Sequence, residues 1–278
     1  MDLVAHEPVI RLSIFLGLLG LLFLVQQRWP SRGDGSWSSR QLTNLSLVAF
    51  NTLTLRLLFP VLAVAFAVVV HDSGGGLFGW LHWPLWLSIP VAVLLLDVAI
   101  YWQHRLMHVI PVLWRLHRVH HADTGFDVTT GVRFHPLEIA LSMLLKLGLI
   151  WLLGPHPVAV LLFEVLLAAG ALITHADFAL PRQIDRRLRW LFVTPSMHRI
   201  HHSTWQPETD SNYGFHLSVW DRLFGSYTEQ PRQDERSMPI GLEQFRQPQD
   251  QRLLSLLINP LRRPASSERK AAEEKPAA

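Results

Sequence analysis

Leu116-His117-Arg118-Val119-His120-His121 has a near twin in Met197-His198-Arg199-Ile200-His201-His202, and His104-Arg105-Leu106-Met107-His108 lies just upstream of the first. In a helix, residues three and four apart share a face. That spacing gathers His117, His120 and His121 on one side, and likewise His198, His201 and His202; His104 and His108 form an i, i+4 pair. A lone histidine is ordinarily a surface or core residue, and a His-rich tract can be a loose surface chelator. Here Leu, Val, Ile and Met are interleaved with the histidines, so the segments read as partly buried. Crowded, buried imidazoles resist protonation, and neutral rings that share a cation resolve the conflict. The pattern therefore points to a metal centre.

The 278 residues are 49% hydrophobic and only 17% charged. With a mean hydropathy of +0.21, this indicates a membrane protein. Cysteine is absent, so any metal is held by imidazole, carboxylate, backbone or water. The net charge of +3 comes from basic residues bordering apolar runs, which suits a membrane surface and argues against nucleic acid as a partner.

Five apolar runs follow one another. Val9 to Val25 reads as an anchor rather than a removed signal peptide, interrupted by Arg11 and Ser13. Leu42 to Val70 contains Asn51, Arg56 and a candidate kink at Pro60. Pro84 to Trp102 carries Asp97. Ile139 to Leu153, with Lys146, and Val158 to Thr174, with Glu164, flank the turn Gly154-Pro155-His156-Pro157 and form a spanning or re-entrant hairpin. The expected fold is all-α: about three spans plus this hairpin, under a His-rich helical cap. The expected divisions are anchor helices over 1–83, a di-metal domain over 84–230, and a polar C-terminal region over 231–278. That last region holds a short amphipathic helix within Gln251 to Ile258 and a disordered tail from Pro264.

Three crossings precede His104 and a hairpin separates His121 from His175, so every His cluster falls on one side. The loops of the other side, Met1–Pro8, His71–Trp83 and Gly154–Pro157, contain no Lys or Arg. The positive-inside rule then makes the His side and the C-terminus cytoplasmic, with the N-terminus outside or periplasmic. His6, His71, His82 and His156 fall on the opposite side or in loops and have no assigned role.

Eight imidazoles exceed the needs of one ion, and two ions use them better. Imidazole alone does not choose among Fe, Zn, Cu and Ni. A redox pair of irons beside a membrane is suited to activating O2 against an unactivated lipid C–H bond. Two rival readings are a membrane metal-binding or transport protein and a zinc-dependent hydrolase. Transport predicts ionisable residues repeated near the midplane, whereas these clusters lie beyond the runs. A zinc hydrolase calls for His-Glu-x-x-His, which the sequence lacks.

Asp97-x-x-x-Tyr101-Trp102-x-His104-Arg105-x-x-His108 and the two H-x-x-H-H segments resemble the histidine boxes of the fatty acid hydroxylase/sterol desaturase superfamily. Asn212-Tyr213-Gly214 and Leu217-Ser218-x-Trp220-Asp221-Arg222-Leu223-Phe224-Gly225-Ser226-Tyr227 resemble its motif after the third box; the likeness runs from about Leu85 to Tyr227. The resemblance implies a membrane di-iron oxygenase that takes a fatty acyl, sterol or other lipid substrate. Zinc is a possible substitute for iron, and O2 is the co-substrate. It implies His104, His108, His117, His120, His121, His198, His201 and His202 as ligands, with His175 as a ninth. It also implies electrons from a separate ferredoxin or cytochrome b5-like system, since the chain shows no haem or flavin domain. Asp97, His135 and Asp177 are the candidates for orienting ligands, Asp97 because helical spacing puts it on the face of His104. His216 is left out of the ligand set.

Overall fold

Prolines and capping side chains set the helix boundaries in the computed structural model, which describes residues 3–34 and 37–263. Helix α1 (Glu7–Arg28) opens with an acid and a proline and closes on Arg28, matching the helix dipole at both ends. Helix α2 (Ser39–Leu58) starts from a capping box between Ser38 and Gln41. It stops at Phe59, held extended by the following Pro60. The chain resumes as α3 (Ala63–Asp72) and α4 (Gly76–Leu81), so Pro60 breaks the second apolar run where a kink was expected.

Helix α5 (Leu85–Val109) ends at the extended Ile110, and Pro111 starts α6 (Pro111–His121) in a new direction. Thus the His104/His108 pair and the first H-x-x-H-H segment sit on two helices that meet at a corner. Helices α7 (Pro136–Leu153) and α8 (Pro157–His175) each begin with a proline, preceded by a histidine whose side chain accepts a backbone N–H: His135 from Leu137 and His156 from Val158. The turn between them uses Gly154 at φ +60°, and a Cβ there would lie 1.9 Å from the Gly75 carbonyl oxygen. The Gly-rich loop before α4 can approach the turn only because neither side carries a side chain.

Five segments, Glu7–Arg28, Ser39–Leu81, Leu85–Val109, Pro136–Leu153 and Pro157–His175, are long and apolar enough to cross a membrane. Helix α8 packs against α1, α3 and α5, and α7 against α2 and α3. Their outward faces remain apolar: Leu12, Leu57, Leu152 and Trp151 are exposed. In water such a surface would associate, whereas in lipid it is solvated. Trp80, Trp83, Trp86 and Trp151 are exposed at the helix ends remote from the nine clustered histidines, as in an interfacial aromatic belt. The chain is an all-helical, multi-pass integral membrane protein, with no β-strand among the described residues.

The other end of the bundle carries the cap, made of the 122–135 loop, α9 (Arg182–Leu188), α10 (Pro195–His201), α11 (Gln206–Thr209), α12 (Val219–Leu223) and α13 (Leu253–Ile258). Buried Asp123 accepts from Arg40 at 2.9 Å, Asn44 at 3.0 Å and Thr130 at 2.9 Å, which ties the start of α2 to the loop after the first H-x-x-H-H. Fully buried Arg133 donates to the Val119 carbonyl, Asn44 and Gln251. In the C-terminal region Leu256 packs with Leu47 and Val119, and Arg118 donates to Asn259 at 2.8 Å. The tail expected from Pro264 onward lies outside the described residues.

Candidate metal centre

Histidines from α5, α6, α8 and α10, with His202 at the end of α10, converge under the cap as two groups. His104, His108, His117, His121 and His201 form the first; His120, His175, His198 and His202 form the second. Each residue offers one nitrogen, and within each group these nitrogens all lie within 4.8 Å of one another. Alternation along the H-x-x-H-H segments divides them, so that His117 and His121 turn to one group and His120 to the other. The groups adjoin, with the His121 and His202 rings stacked at 4.5 Å between centroids.

Hydrogen bonds fix most of the ring orientations. The Nδ1–H of His104 donates to the Tyr213 carbonyl, that of His201 to the Ser211 carbonyl and that of His175 to the Ala171 carbonyl, each at 2.7 Å. His117 Nδ1 donates to Glu138 Oε1 at 2.6 Å, and His120 Nδ1 to the Arg133 carbonyl at 3.3 Å. His108 Nδ1 lies 3.3 Å from Asp210 Oδ1. A carbonyl can only accept, so these partners place the proton on Nδ1 and leave Nε2 with a lone pair, the state of a metal-bound imidazole.

The Nε2 atoms point at one another. His104 and His117 stand 3.1 Å apart, and His175 Nε2 is 3.1 Å from the Nε2 of each of His120, His198 and His202. The Nε2 atoms of His108, His121 and His201 are buried without a partner. Facing lone pairs repel unless a cation or proton lies between them. A cation about 2.1 Å from each nitrogen sets neighbours at right angles about 3 Å apart, which is the spacing found. Protons are a poor substitute: burial, then the charge of neighbouring rings, holds His120, His121, His198 and His202 well below the usual imidazole range and His201 down to about 3. The donor set and the orphaned nitrogens fit two cations.

The three expected orienting residues do other work. Asp97 accepts from His216 Nδ1 at 2.5 Å and from Trp220 Nε1 at 2.7 Å, and touches none of the nine histidines. His135 caps α7 and donates from Nε2 to the Leu257 carbonyl at 3.0 Å. Asp177 accepts the backbone N–H groups of Arg32, Gly33 and Asp34 at 2.8–3.1 Å, clamping the α1–α2 connection. His216 stays outside both groups.

The residues that do orient the rings were hidden in the sequence. Glu138 stood beside an apolar run with nothing to pair it with His117. The Tyr213, Ser211, Ala171 and Arg133 carbonyls carry no residue signature at all. A partial signal was present in the segment after the third box. Asp221 accepts from Tyr213 N at 2.7 Å, Gly214 N at 2.9 Å and Ser226 Oγ at 2.7 Å, while Asn212, at φ +52°, donates to Met197 and Thr228. Together they build the tight knot that aims the Tyr213 and Ser211 carbonyls at His104 and His201.

A cavity of about 280 Å³ opens from His104 and His117 into the membrane-embedded bundle. Its walls are mostly apolar, among them Ile100, Met107, Phe134 and Leu167, and its lining also includes Arg11, Lys146 and Glu164.

The sequence profile of the fatty acid hydroxylase family matches residues 89–226, the span that contains all nine histidines. The chain belongs to the fatty acid hydroxylase family. Among relatives, it is 28% identical over 242 residues to the ornithine lipid hydroxylase OlsE of Rhizobium tropici, covering 82% of this chain and 70% of that one. It is 31% identical over 146 residues to human alkylglycerol monooxygenase, covering 51% of this chain and 30% of that one. With mouse lathosterol oxidase the identity is 30% over 163 residues, covering 58% of this chain and 51% of that one. The chain thus spans about half or less of the length of the last two relatives. No solved structure matches it. The family membership makes it a membrane oxidoreductase of the fatty acid hydroxylase/sterol desaturase type, and its buried clusters suit the di-metal site of that family.

Proposed function

We propose that this protein is an O2-dependent di-iron oxidoreductase that hydroxylates or desaturates a lipid. The observation carrying the proposal is the opening of a mostly apolar, membrane-embedded cavity onto His104 and His117, which belong to one of two adjoining all-imidazole groups. His104, His108, His117, His121 and His201 would hold one ion, and His120, His175, His198 and His202 the other. Without cysteine, the donors are hard enough for iron and for zinc that replaces it. When bound, iron supplies O2 activation and hydrogen abstraction from an unactivated carbon.

The chain's own residues supply position and exclusion. Ile100, Met107 and Phe134 give an alkyl segment an apolar wall beside His104 and His117, in a lining that also holds Gln103 and Glu138. The cap buries the imidazoles and keeps water from the reacting carbon. Glu138, Tyr213, Ser211 and Ala171 hold the ring protons on Nδ1. In hydroxylation one oxygen atom enters a C–H bond and the other leaves as water; desaturation removes two hydrogens and reduces both oxygen atoms to water. Either needs two electrons from a partner, for which a ferredoxin or cytochrome b5-like donor on the His side is the proposed source. The charge pattern of the loops supports a cytoplasmic cap and C-terminus and an outside or periplasmic N-terminus. The division into an anchor over 1–83, a di-metal domain over 84–230 and a C-terminal region over 231–278 is proposed with it.

Comparative lipid mass spectrometry of cells with and without the gene tests the function. The expected result is a lipid that gains one oxygen or loses two hydrogens only when the gene and O2 are both present. Identical lipid profiles under good expression and iron supply would contradict it.

A further inference from the structure

The inner wall of the cavity carries charge where a membrane protein can least tolerate it. Lys146 Nζ donates to Glu164 Oε1 at 2.6 Å; Glu164 Oε2 accepts from Arg11 at 2.9 Å; and Arg11 also pairs with Glu7 at 2.5 Å. Lys146 and Glu164 are both buried, and Arg11, Lys146 and Glu164 line the same cavity as His104 and His117. Ionisable groups inside a spanning segment are costly, and the default reading is functional. A structural reading is weak here. Ile10, Leu147 and Val165, beside the charged residues in sequence, already pack α1, α7 and α8 through an apolar cluster. An ion network held only for packing is commonly replaceable by apolar side chains without loss of stability.

The cluster is charge-balanced, two cations against two carboxylates, yet its hydrogen-bonding capacity is not used up. An ammonium has three protons, and one side-chain bond of Lys146 is seen, to Glu164. A second anion in this apolar setting would lack a countercharge. An uncharged oxygen, a hydroxyl or carbonyl, can accept a Lys146 proton at no such cost. The distance is defined as well. Glu138, which holds His117, and Lys146 are eight residues apart on α7, about 12 Å along the axis at about 1.5 Å per residue.

Building on the proposed lipid oxidation, we infer that Lys146, held by Glu164, hydrogen-bonds an uncharged oxygen of the lipid substrate and so fixes which carbon lies against the imidazole groups. The substrate class is an amphiphile with a hydroxyl or carbonyl that enters the membrane-embedded end of the cavity, with its apolar segment running toward the histidines. Lys146 is then a specificity-determining residue.

Photolabelling tests this directly. Full-length protein in phosphatidylcholine nanodiscs is exposed to dodecanol or dodecane, each carrying a diazirine at one end, and labelled peptides are mapped by mass spectrometry. Wild type is expected to take up the alcohol at least about tenfold more than the alkane, the worth of one buried charge-assisted hydrogen bond. The label should fall on α5 and α6 near the histidines. Lys146→Met/Glu164→Leu, which leaves Arg11 its Glu7 partner, is expected to label equally with both probes while keeping its metal content and thermal unfolding temperature. Lys146→Arg is expected to keep the preference. Equal labelling of wild type by the two probes overturns the inference even if the double variant does not fold. So does a preference that survives in the double variant. Labelling needs neither turnover nor an electron donor. A protein that labels as expected but oxidises no lipid therefore contradicts the proposed function and leaves the Lys146 subsite standing.

Discussion

Glu138 accepts the Nδ1–H of His117 at 2.6 Å, while its other oxygen has no partner and its side chain lines the cavity. This carboxylate therefore connects a metal-facing imidazole to the space a substrate would occupy. It fixes the tautomer of His117 and holds its Nε2 toward a cation. Glu138→Gln is expected to lower metal affinity or turnover by about 10- to 100-fold. Competitive chelation of the purified variant reads the affinity, and wild-type retention would remove Glu138 from this role.

Asp97→Asn provides the contrast. Asp97 contacts His216 and Trp220 and none of the nine histidines. The variant is expected to keep wild-type metal content and to lose about 1–3 kcal/mol of stability, the range for a charged buried hydrogen bond left incomplete. Metal analysis beside thermal unfolding separates the two; metal loss at unchanged stability would show that Asp97 acts on the centre after all.

The reason Asp97 misled is geometric. Seven residues before His104 it does share a helix face, but it stands about 10 Å lower along the axis, too far to reach the imidazole. The ligand candidates themselves were legible, because imidazole chemistry demands particular residues at particular spacings. The five apolar runs were legible from hydropathy, and Arg11, Lys146 and Glu164 were visible inside them, although their mutual pairing needed the fold. His135, expected to orient a ligand, serves instead as a helix cap, a role its isolated place in the sequence did not distinguish. Carbonyl partners such as Tyr213 and Ala171 left no trace, since every residue carries a carbonyl.

Gly131 offers a third test. A Cβ at this position would lie 2.4 Å from the Ala171 carbonyl oxygen and 3.2 Å from His175 Nδ1. Neither contact can be relieved by a flexible side chain, because one partner is backbone and the other is held by it. Gly131→Ala is expected to displace His175 and reduce metal in the His120/His175/His198/His202 group, leaving the other group filled. Metal content falling from two ions per chain toward one is the expected readout; full loading would show that α8 yields at no cost.

Acidification should weaken the metal-free protein. Burial, then neighbouring rings, keeps His120, His121, His198 and His202 neutral in the folded state well below the ordinary value, and His201 down to about 3. As pH falls below about 6.5 the unfolded chain binds protons that the folded chain refuses, so stability falls with pH; above that value these groups contribute no slope. Bound metal should be released over the same acidic range, as protons compete for the same lone pairs. Thermal unfolding of metal-free protein between about pH 5 and about pH 8 checks the sign. Greater stability at the acid end would contradict the buried, neutral state of the rings.

The central claim is that nine imidazoles serve two adjacent cations. Its most direct test is the iron-to-protein ratio of full-length protein loaded anaerobically with ferrous iron and stripped of loose metal by gel filtration. The account predicts two irons per chain, one for each group. A ratio of one or less, in protein that remains folded, would contradict it.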